Sequence, residues 1–244
     1  MLVNEYILVC WIGECTLKDY KMEISKGKAY LMKLYCQKFK SKFPRFARKQ
    51  KVDLPINWEK ILQRIIDEVQ IDDRYIIFYY EPDTKKLNAN ARWKHCIRAN
   101  QWWALELIKN YDDLLLKDTF RFVIGHECAH DIYCYVCGLH TKNNQFKSYV
   151  NEIVADVYGM KLAGYNKARA LEIMAMREKY SANRYVGAFS HPSAVVRTRF
   201  VERYQEVSED MIRELADGIG CKKEKLIKFM TRKYIPYFKD NRDE

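Results

Sequence analysis

The spacing of apolar residues predicts a chain made mainly of helices. In the segment 57–69, apolar residues recur every three or four positions, which is typical of a helix with one buried face. Pro44 predicts the end of the helix before it, because the residue that precedes a proline disfavours helical backbone. Similar spacing and helix-ending residues predict helices over 25–43, 114–137, 148–162, 166–180 and most of 192–238.

Short runs of β-branched and aromatic residues predict a few strands among these helices. Such runs occupy residues 5–12 and 74–80. The segment 87–108 contains enough aromatic and aliphatic residues for one or two strands, with helix as the alternative for part of it. Few strands among many helices indicate an α+β fold.

The composition indicates a folded chain with a sizeable core. Of its 244 residues, 48% are apolar and 31% charged, with only nine glycines and five prolines, which excludes collagen-like, low-complexity and disordered chains. The eight cysteines lie largely in apolar stretches without the spacing of a disulfide scaffold, which indicates a reducing compartment. Because no secretory signal and no apolar run of membrane length is visible, we expect a soluble, cytoplasmic protein.

The charge balance favours anionic partners. Lys and Arg number 43 against 32 Asp and Glu, which gives a formal net charge of +11. The densest basic run, residues 38–51, also contains aromatic residues. Two interpretations stay open here: a solvated basic face, or a surface that contacts nucleic acid or an acidic protein.

The segment His126-Glu127-Cys128-Ala129-His130 carries the most informative chemistry. Two histidines four positions apart on a helix project from one face, where they can bind one zinc ion. Glu127 stands between them, in the position of a general base that takes a proton from a metal-bound water. The alternative is a pair of ordinary core histidines, so the rest of the sequence must supply a further ligand.

Two carboxylates on the next predicted helix complete the pattern. A catalytic zinc ion needs three protein ligands and one open position, and Glu152 can supply the third ligand. Asp156 follows one turn later, where it can accept the free ring N–H of a ligand histidine and so orient that ring. A solvated helix carboxylate is the open alternative for Glu152.

The segment HECAH, followed by NEIVADVYG, resembles the gluzincin metallopeptidases in its ligand spacing. The resemblance implies that His126, His130 and Glu152 bind zinc, that Glu127 is the catalytic acid and base, and that Asp156 supports a ligand histidine. It thereby implies hydrolysis of a protein or peptide substrate.

Two further segments are similar to gluzincins of the CaaX-prenyl-protease and heat-shock-protease type. His191-Pro192 with Arg197 matches their HPxxxxR segment, which implies that His191 stabilises the oxyanion and that Arg197 orients the site or binds substrate. A surface ion pair is the alternative for Arg197. The run Asn88-Ala89-Asn90-Ala91 is similar to their edge strand, which implies that substrate binds there in extended form.

The sequence therefore predicts a soluble zinc metalloendopeptidase with an α+β, zincin-like core. A small mixed sheet is expected to pack on the HExxH helix, and the C-terminal part to be largely helical. The expected division is a basic N-terminal portion over 1–86, the catalytic core over 87–205 and a helical extension over 206–244. The alternative function is a metal-containing binding or regulatory protein whose basic N-terminal surface contacts nucleic acid or an acidic protein.

Overall fold

A computed structural model of the chain describes residues 26–84, 86–93, 96–130, 145–180, 191–203 and 208–238. The strand predicted over 5–12 lies outside these residues. The helices are α1 (Lys26–Lys49), α2 (Trp58–Val69), α3 (Gln101–Lys109), α4 (Leu114–Ala129), α5 (Gln145–Leu162), α6 (Lys167–Tyr180), α7 (Ala194–Glu202), α8 (Glu209–Asp217) and α9 (Glu224–Phe238). The strands are β1 (Tyr75–Tyr79), β2 (Ala89–Trp93) and β3 (Cys96–Asn100). This composition confirms the predicted α+β class.

The chain forms two compact units that meet in sequence between Ile124 and Gly125. We call them the N-terminal unit and the C-terminal unit. The division expected at 86/87 and 205/206 stays a prediction. No helix in the described ranges is both long enough and apolar enough to cross a membrane.

The N-terminal unit is built around a three-stranded mixed sheet with the strand order β1-β3-β2. Strand β3 is parallel to β1 and antiparallel to β2. Every residue of β1 and β3 is buried, which is typical of strands that are covered on both faces. Phe78 of β1 stacks on Phe39 of α1 at 5.8 Å and on Phe120 of α4 at 6.0 Å between ring centroids. The sheet thus packs on the first part of the helix that carries the HExxH segment.

The segment 87–108 contains both strands and a helix, the two alternatives that its composition left open. Strands β2 and β3 are followed directly by α3, and Asn100 is both the last residue of β3 and the N-cap of α3. Its side-chain oxygen accepts a hydrogen bond from the main-chain N–H of Trp103. A side chain of this kind satisfies one of the unpaired N–H groups at a helix start.

The prediction that α1 ends before Pro44 is wrong, because the helix continues through the proline to Lys49. The buried stripe of α1 continues beyond residue 44 with Phe46 and Ala47. A proline inside a helix costs about 3 kcal/mol, whereas burying one large apolar side chain contributes about 1.5–3 kcal/mol. Burial of Phe46, with the further contacts of the last turn, therefore offsets the lost hydrogen bond.

The C-terminal unit has α5 at its centre. Residues on every side of α5 are buried from Glu152 to Met160, as expected for a helix surrounded by others. Its core is formed with residues of α7, α8 and α9, including Phe200, Ile212 and Met230. Gly164 follows the end of α5 by two residues, and its φ of +75° is the left-handed conformation that closes helices. The bounds of α5 and α6 lie within three residues of those predicted.

We predict that Pro44→Ala stabilises the protein. Alanine restores the missing main-chain hydrogen bond of α1 and removes the ring clash, while the unfolded chain gains some freedom, so the free energy of unfolding should rise by about 1–2 kcal/mol. Urea denaturation followed by circular dichroism measures this change. Ser41→Ala, on the exposed face of the same helix, is the control and should change the value by less than about 0.5 kcal/mol. A lower stability of Pro44→Ala would contradict our account.

Candidate metal centre

The candidate site lies within the C-terminal unit and uses the last turn of α4 and the middle of α5. His126 and Glu127 are in α4, and His130 follows its last residue. Glu152 and Asp156 stand one turn apart in α5, so their side chains leave the same face of that helix. The structure thus brings together four of the residues that the sequence predicted for the site.

A direct contact between two glycines holds the backbones of α4 and α5 together. A Cβ atom added at Gly125 would lie 2.4 Å from the carbonyl oxygen of Gly159. A Cβ atom added at Gly159 would lie 2.6 Å from the main-chain nitrogen of His126. Neither position has room for a side chain, so the crossing places His126 directly against α5. Sequence reasoning missed this contact, although a glycine inside each helical pattern was the available signal.

The ligand atoms of His126, His130 and Glu152 face one another. Nε2 of His126 lies 3.0 Å from Nε2 of His130 and 3.4 Å from Oε2 of Glu152. Nε2 of His130 lies 3.3 Å from Oε1 of Glu152. One ligand atom from each residue can be chosen so that all three lie within 4.8 Å of one another, and this group could hold a metal ion.

The donor set fits a cation. Oε2 of Glu152 is buried and accepts no hydrogen bond, although Nε2 of His126 and Nη1 of Arg197 lie 3.4 and 3.5 Å away. A buried carboxylate oxygen without a hydrogen bond is costly, and a bound metal ion would satisfy it. Two imidazole nitrogens directed at the same point as this oxygen complete a three-ligand set.

Asp156 contacts the ring nitrogen of His126 that faces away from His130 and Glu152. Its side chain is fully buried, and Oδ1 lies 2.9 Å from Nδ1 of His126. Arg197 donates to both oxygens of the same carboxylate, from Nε to Oδ2 and from Nη2 to Oδ1, each at 2.6 Å. The pair therefore has bidentate geometry, which fixes the carboxylate plane. Because Nδ1 of His126 is engaged with Asp156, its Nε2 is left for a metal ion.

Burial and charge act in opposite directions on this group. Burial alone would raise the pKa of Asp156, but Arg197 and His126 hold this pKa well below its ordinary value. Burial likewise opposes ionisation of Glu152, yet the neighbouring His126, His130 and Arg197 hold its pKa well below the usual range. Burial would lower the pKa of His126, but the hydrogen bond to Asp156 and the nearby carboxylate of Glu152 raise it to about 9. Both carboxylates are thus anionic at neutral pH, and a metal ion that binds His126 displaces a proton.

Arg197 belongs to this cluster and is not a surface residue. The surface ion pair considered for it is wrong, because its side chain is only 10% exposed. Ser193 caps α7 by accepting from the main-chain N–H of Val196, which sets the start of the helix and places Arg197 in its first turn. With its guanidinium engaged by Asp156, Arg197 is placed to orient the site, and the substrate-binding alternative has no support from this placement.

Arg177 is a member of the cluster that sequence reasoning missed. Its Nη1 donates to Oδ1 of Asp156 at 3.2 Å from α6, so that two guanidinium groups meet one carboxylate. Asn151 is a second residue that sequence reasoning missed. Its side-chain amide nitrogen lies 3.4 Å from Nδ1 of His130. Neither residue stands in a local pattern that marks it, because both are brought to the site by the packing of α6 and α5.

His191 and Glu127 are the two predicted catalytic residues. Nε2 of His191 lies 3.5 Å from Oε1 of Glu152, and its side chain is 49% exposed. Burial of the ring lowers the pKa of His191, so the imidazole is neutral at neutral pH and keeps one N–H to donate. Glu127 is half-buried next to His126. Burial lowers the pKa of Arg197, but Asp156 and, to a smaller extent, Glu152 and Glu127 raise it above its ordinary value.

The predicted substrate strand lies in the N-terminal unit. Ala89, Asn90 and Ala91 belong to β2, which is an edge of the described sheet, and Asn88 precedes it. The side chain of Asn90 accepts hydrogen bonds from Arg98, and Nδ2 of Asn88 donates to the Tyr79 hydroxyl at 3.2 Å. The two asparagine side chains thus take part in the fold, and a substrate-binding role for the segment stays a prediction.

Comparison of the chain with models of protein families, with curated proteins and with solved structures found no match in any of the three. The similarity to gluzincins therefore stays a prediction based on residue pattern.

We predict that Gly159→Ala weakens the α4–α5 crossing. The new methyl group would meet the backbone of His126 at 2.6 Å, and overpacking of this kind costs about 1–3 kcal/mol in unfolding free energy. Gly27→Ala is the matched control, because a Cβ atom there meets nothing within 4 Å and alanine favours the helix. Urea unfolding should show a lower free energy of unfolding for Gly159→Ala and a higher one for Gly27→Ala than for the wild type. A Gly159→Ala protein as stable as the wild type would show that the crossing relaxes.

Proposed function

We propose that the chain is a zinc-dependent endopeptidase of gluzincin type. The observation that carries the proposal is the convergence of His126, His130 and Glu152, whose ligand atoms lie within 4.8 Å of one another. Asp156 binds the other ring nitrogen of His126, and Glu127 stands between the two histidines in sequence. Together these residues make up the pattern of a hydrolytic HExxH site with a glutamate as third ligand.

The chemistry of the ligands favours zinc. Two imidazoles and one carboxylate are a common catalytic zinc set, and they leave one position open for water. The same ligand types also bind iron(II) in oxygenases. Glu127 distinguishes the two, because a hydrolase needs a carboxylate beside the metal to handle protons and an oxygenase does not require one there.

When bound, a zinc ion supplies Lewis acidity that lowers the pKa of a water molecule and polarises the scissile carbonyl. Glu127 accepts the proton of the attacking water and later donates it to the leaving amine. His191 donates its N–H to the oxygen that becomes negatively charged, an interaction of about 2.7–4 kcal/mol in other enzymes. Arg197 and Asp156 hold the ring of His126 in the orientation that binding requires.

The first test measures metal content by inductively coupled plasma mass spectrometry. About one zinc ion per chain is expected in the wild type and in Glu127→Gln, which keeps all three ligands. Glu152→Ala should lose most of its zinc, because one of the three ligands is gone. Iron in place of zinc, or equal metal content in all three proteins, would contradict the proposed site.

The second test measures hydrolysis, with a mixed peptide library as substrate and mass-spectrometric detection of the products. Glu127→Gln should lower the rate by about 10²–10⁴-fold, which is the usual contribution of general acid–base catalysis. His191→Ala should lower kcat by about 10²–10³-fold and leave the zinc content unchanged.

Val195→Ala is the control for His191→Ala, because Val195 is exposed on the neighbouring helix α7 and should keep wild-type kinetics. A zinc-loaded wild-type protein that cleaves nothing in the library would contradict endopeptidase activity. Normal hydrolysis by Glu127→Gln would contradict the proton-transfer role.

A further inference from the structure

We infer that helix α1 binds the phosphate backbone of a nucleic acid through four exposed basic residues. Lys38, Lys42, Arg45 and Lys49 follow one another at spacings of four, three and four, so they form one line along the helix. All four are exposed. We call them the basic row.

The sequence around the row is basic without interruption. Residues 26–52 contain ten Lys and Arg and no Asp or Glu, so this stretch alone carries a formal charge of +10 in a chain whose net charge is +11. The positive charge of the protein is therefore concentrated on one helix, since the rest of the chain is nearly balanced. A field of this kind attracts a polyanion.

Several basic residues in the described ranges pair with carboxylates, whereas the four residues of the basic row do not. Arg199 pairs with Glu214 at 2.7 Å and Arg213 pairs with Glu224 at 2.8 Å. Among the described residues, no carboxylate forms an ion pair with any member of the basic row. The four charges are therefore available to an external partner as far as the described structure reaches.

The row works against the stability of its own helix. Like charges three or four positions apart destabilise a helix by about 0.2–0.5 kcal/mol for each pair, and the row contains three such pairs in succession. A bound polyanion would remove this repulsion. The arrangement is thus unfavourable in isolation and favourable in a complex.

The opposite face of α1 anchors the row. Phe39, Phe43 and Phe46 are buried, and Phe39 stacks on Phe78 of the sheet at 5.8 Å. The row is therefore held on a packed helix, and the 11 steps from Lys38 to Lys49 correspond to about 17 Å at 1.5 Å per residue. Duplex DNA carries one phosphate charge for about every 1.7 Å of its axis, so four contacts fit within this length.

The same burial argues against a membrane as the partner. A helix that lies in a membrane surface inserts its apolar face among the lipids. In the half of α1 that carries the basic row, the apolar residues already pack in the core of the N-terminal unit, whereas Tyr30, Leu31 and Leu34 are exposed nearer the start of the helix. What the last three turns expose is polar, namely the basic row with Ser41 and Arg48.

Fluorescence anisotropy with a labelled 24-base-pair DNA duplex and an RNA duplex of the same sequence tests the inference. The full-length wild type should bind at 50 mM KCl, with a logarithmic salt slope of about −3.6 for four phosphate contacts. The variant with Lys38, Lys42, Arg45 and Lys49 all changed to Gln should bind at least about ten-fold more weakly, with a slope near zero. The two duplexes decide which nucleic acid is preferred.

The control variant changes four exposed lysines of the C-terminal unit to Gln: Lys167, Lys222, Lys223 and Lys225. Both variants lower the net charge from +11 to +7, which is 11 − 4, so only the position of the change differs. The control should bind as the wild type does. The row variant should melt at the same temperature as the wild type or higher, because repulsion within α1 is relieved.

Equal loss of binding in both variants would show a general effect of charge and would overturn the inference. Absence of wild-type binding at 50 mM KCl would overturn it as well. The same holds if phosphatidylserine vesicles or polyglutamate bind more tightly than both duplexes through the basic row. Because binding is measured without hydrolysis, failure of this test leaves the proposed peptidase untouched, and the converse also holds.

Discussion

The carboxylate of Asp156 is the group on which the candidate site depends. It is fully buried, and it accepts hydrogen bonds from His126, Arg197 and Arg177, which come from three different helices. A buried carboxylate is stable only when it is paired, so the three helices must pack in one arrangement to satisfy it. That arrangement also turns Nε2 of His126 toward His130 and Glu152.

The contact between Gly125 and Gly159 is the second feature on which the candidate site depends. The side chains of α4 and α5 could not converge at such short distances if their backbones were separated by a layer of side chains, which keeps most helix pairs 8–10 Å apart. Gly125 and Gly159 remove that layer at one point. Hydrogen bonding to Asp156 then fixes the orientation of the rings, while the glycines fix their distance from α5.

Patterns within one helix could be predicted from the sequence, and the ligand pattern also predicted that Glu152 and Asp156 of α5 meet the histidines of α4, whereas the other contacts between helices could not be predicted. His126 with His130, and Glu152 with Asp156, follow from the repeat of the helix, which places residues four apart on one face. Arg177 reaches the site only because α6 packs there, and no local pattern marks it. The continuation of α1 beyond Pro44 also depends on tertiary packing, because burial of the residues after the proline outweighs its tendency to end a helix. The α+β class could be predicted because it depends only on which segments are helices and which are strands.

The charges around Asp156 have a consequence for the order of folding and metal loading. Two buried carboxylates, Glu152 and Asp156, stand beside two guanidinium groups, Arg177 and Arg197, and the four formal charges cancel. Buried carboxylates without a positive partner would need a metal ion to balance their charge in the folded chain. In this chain the arginines provide that balance. A metal ion held by His126, His130 and Glu152 would therefore enter a cluster whose carboxylate charges are already balanced, and its removal would not leave them without a positive partner.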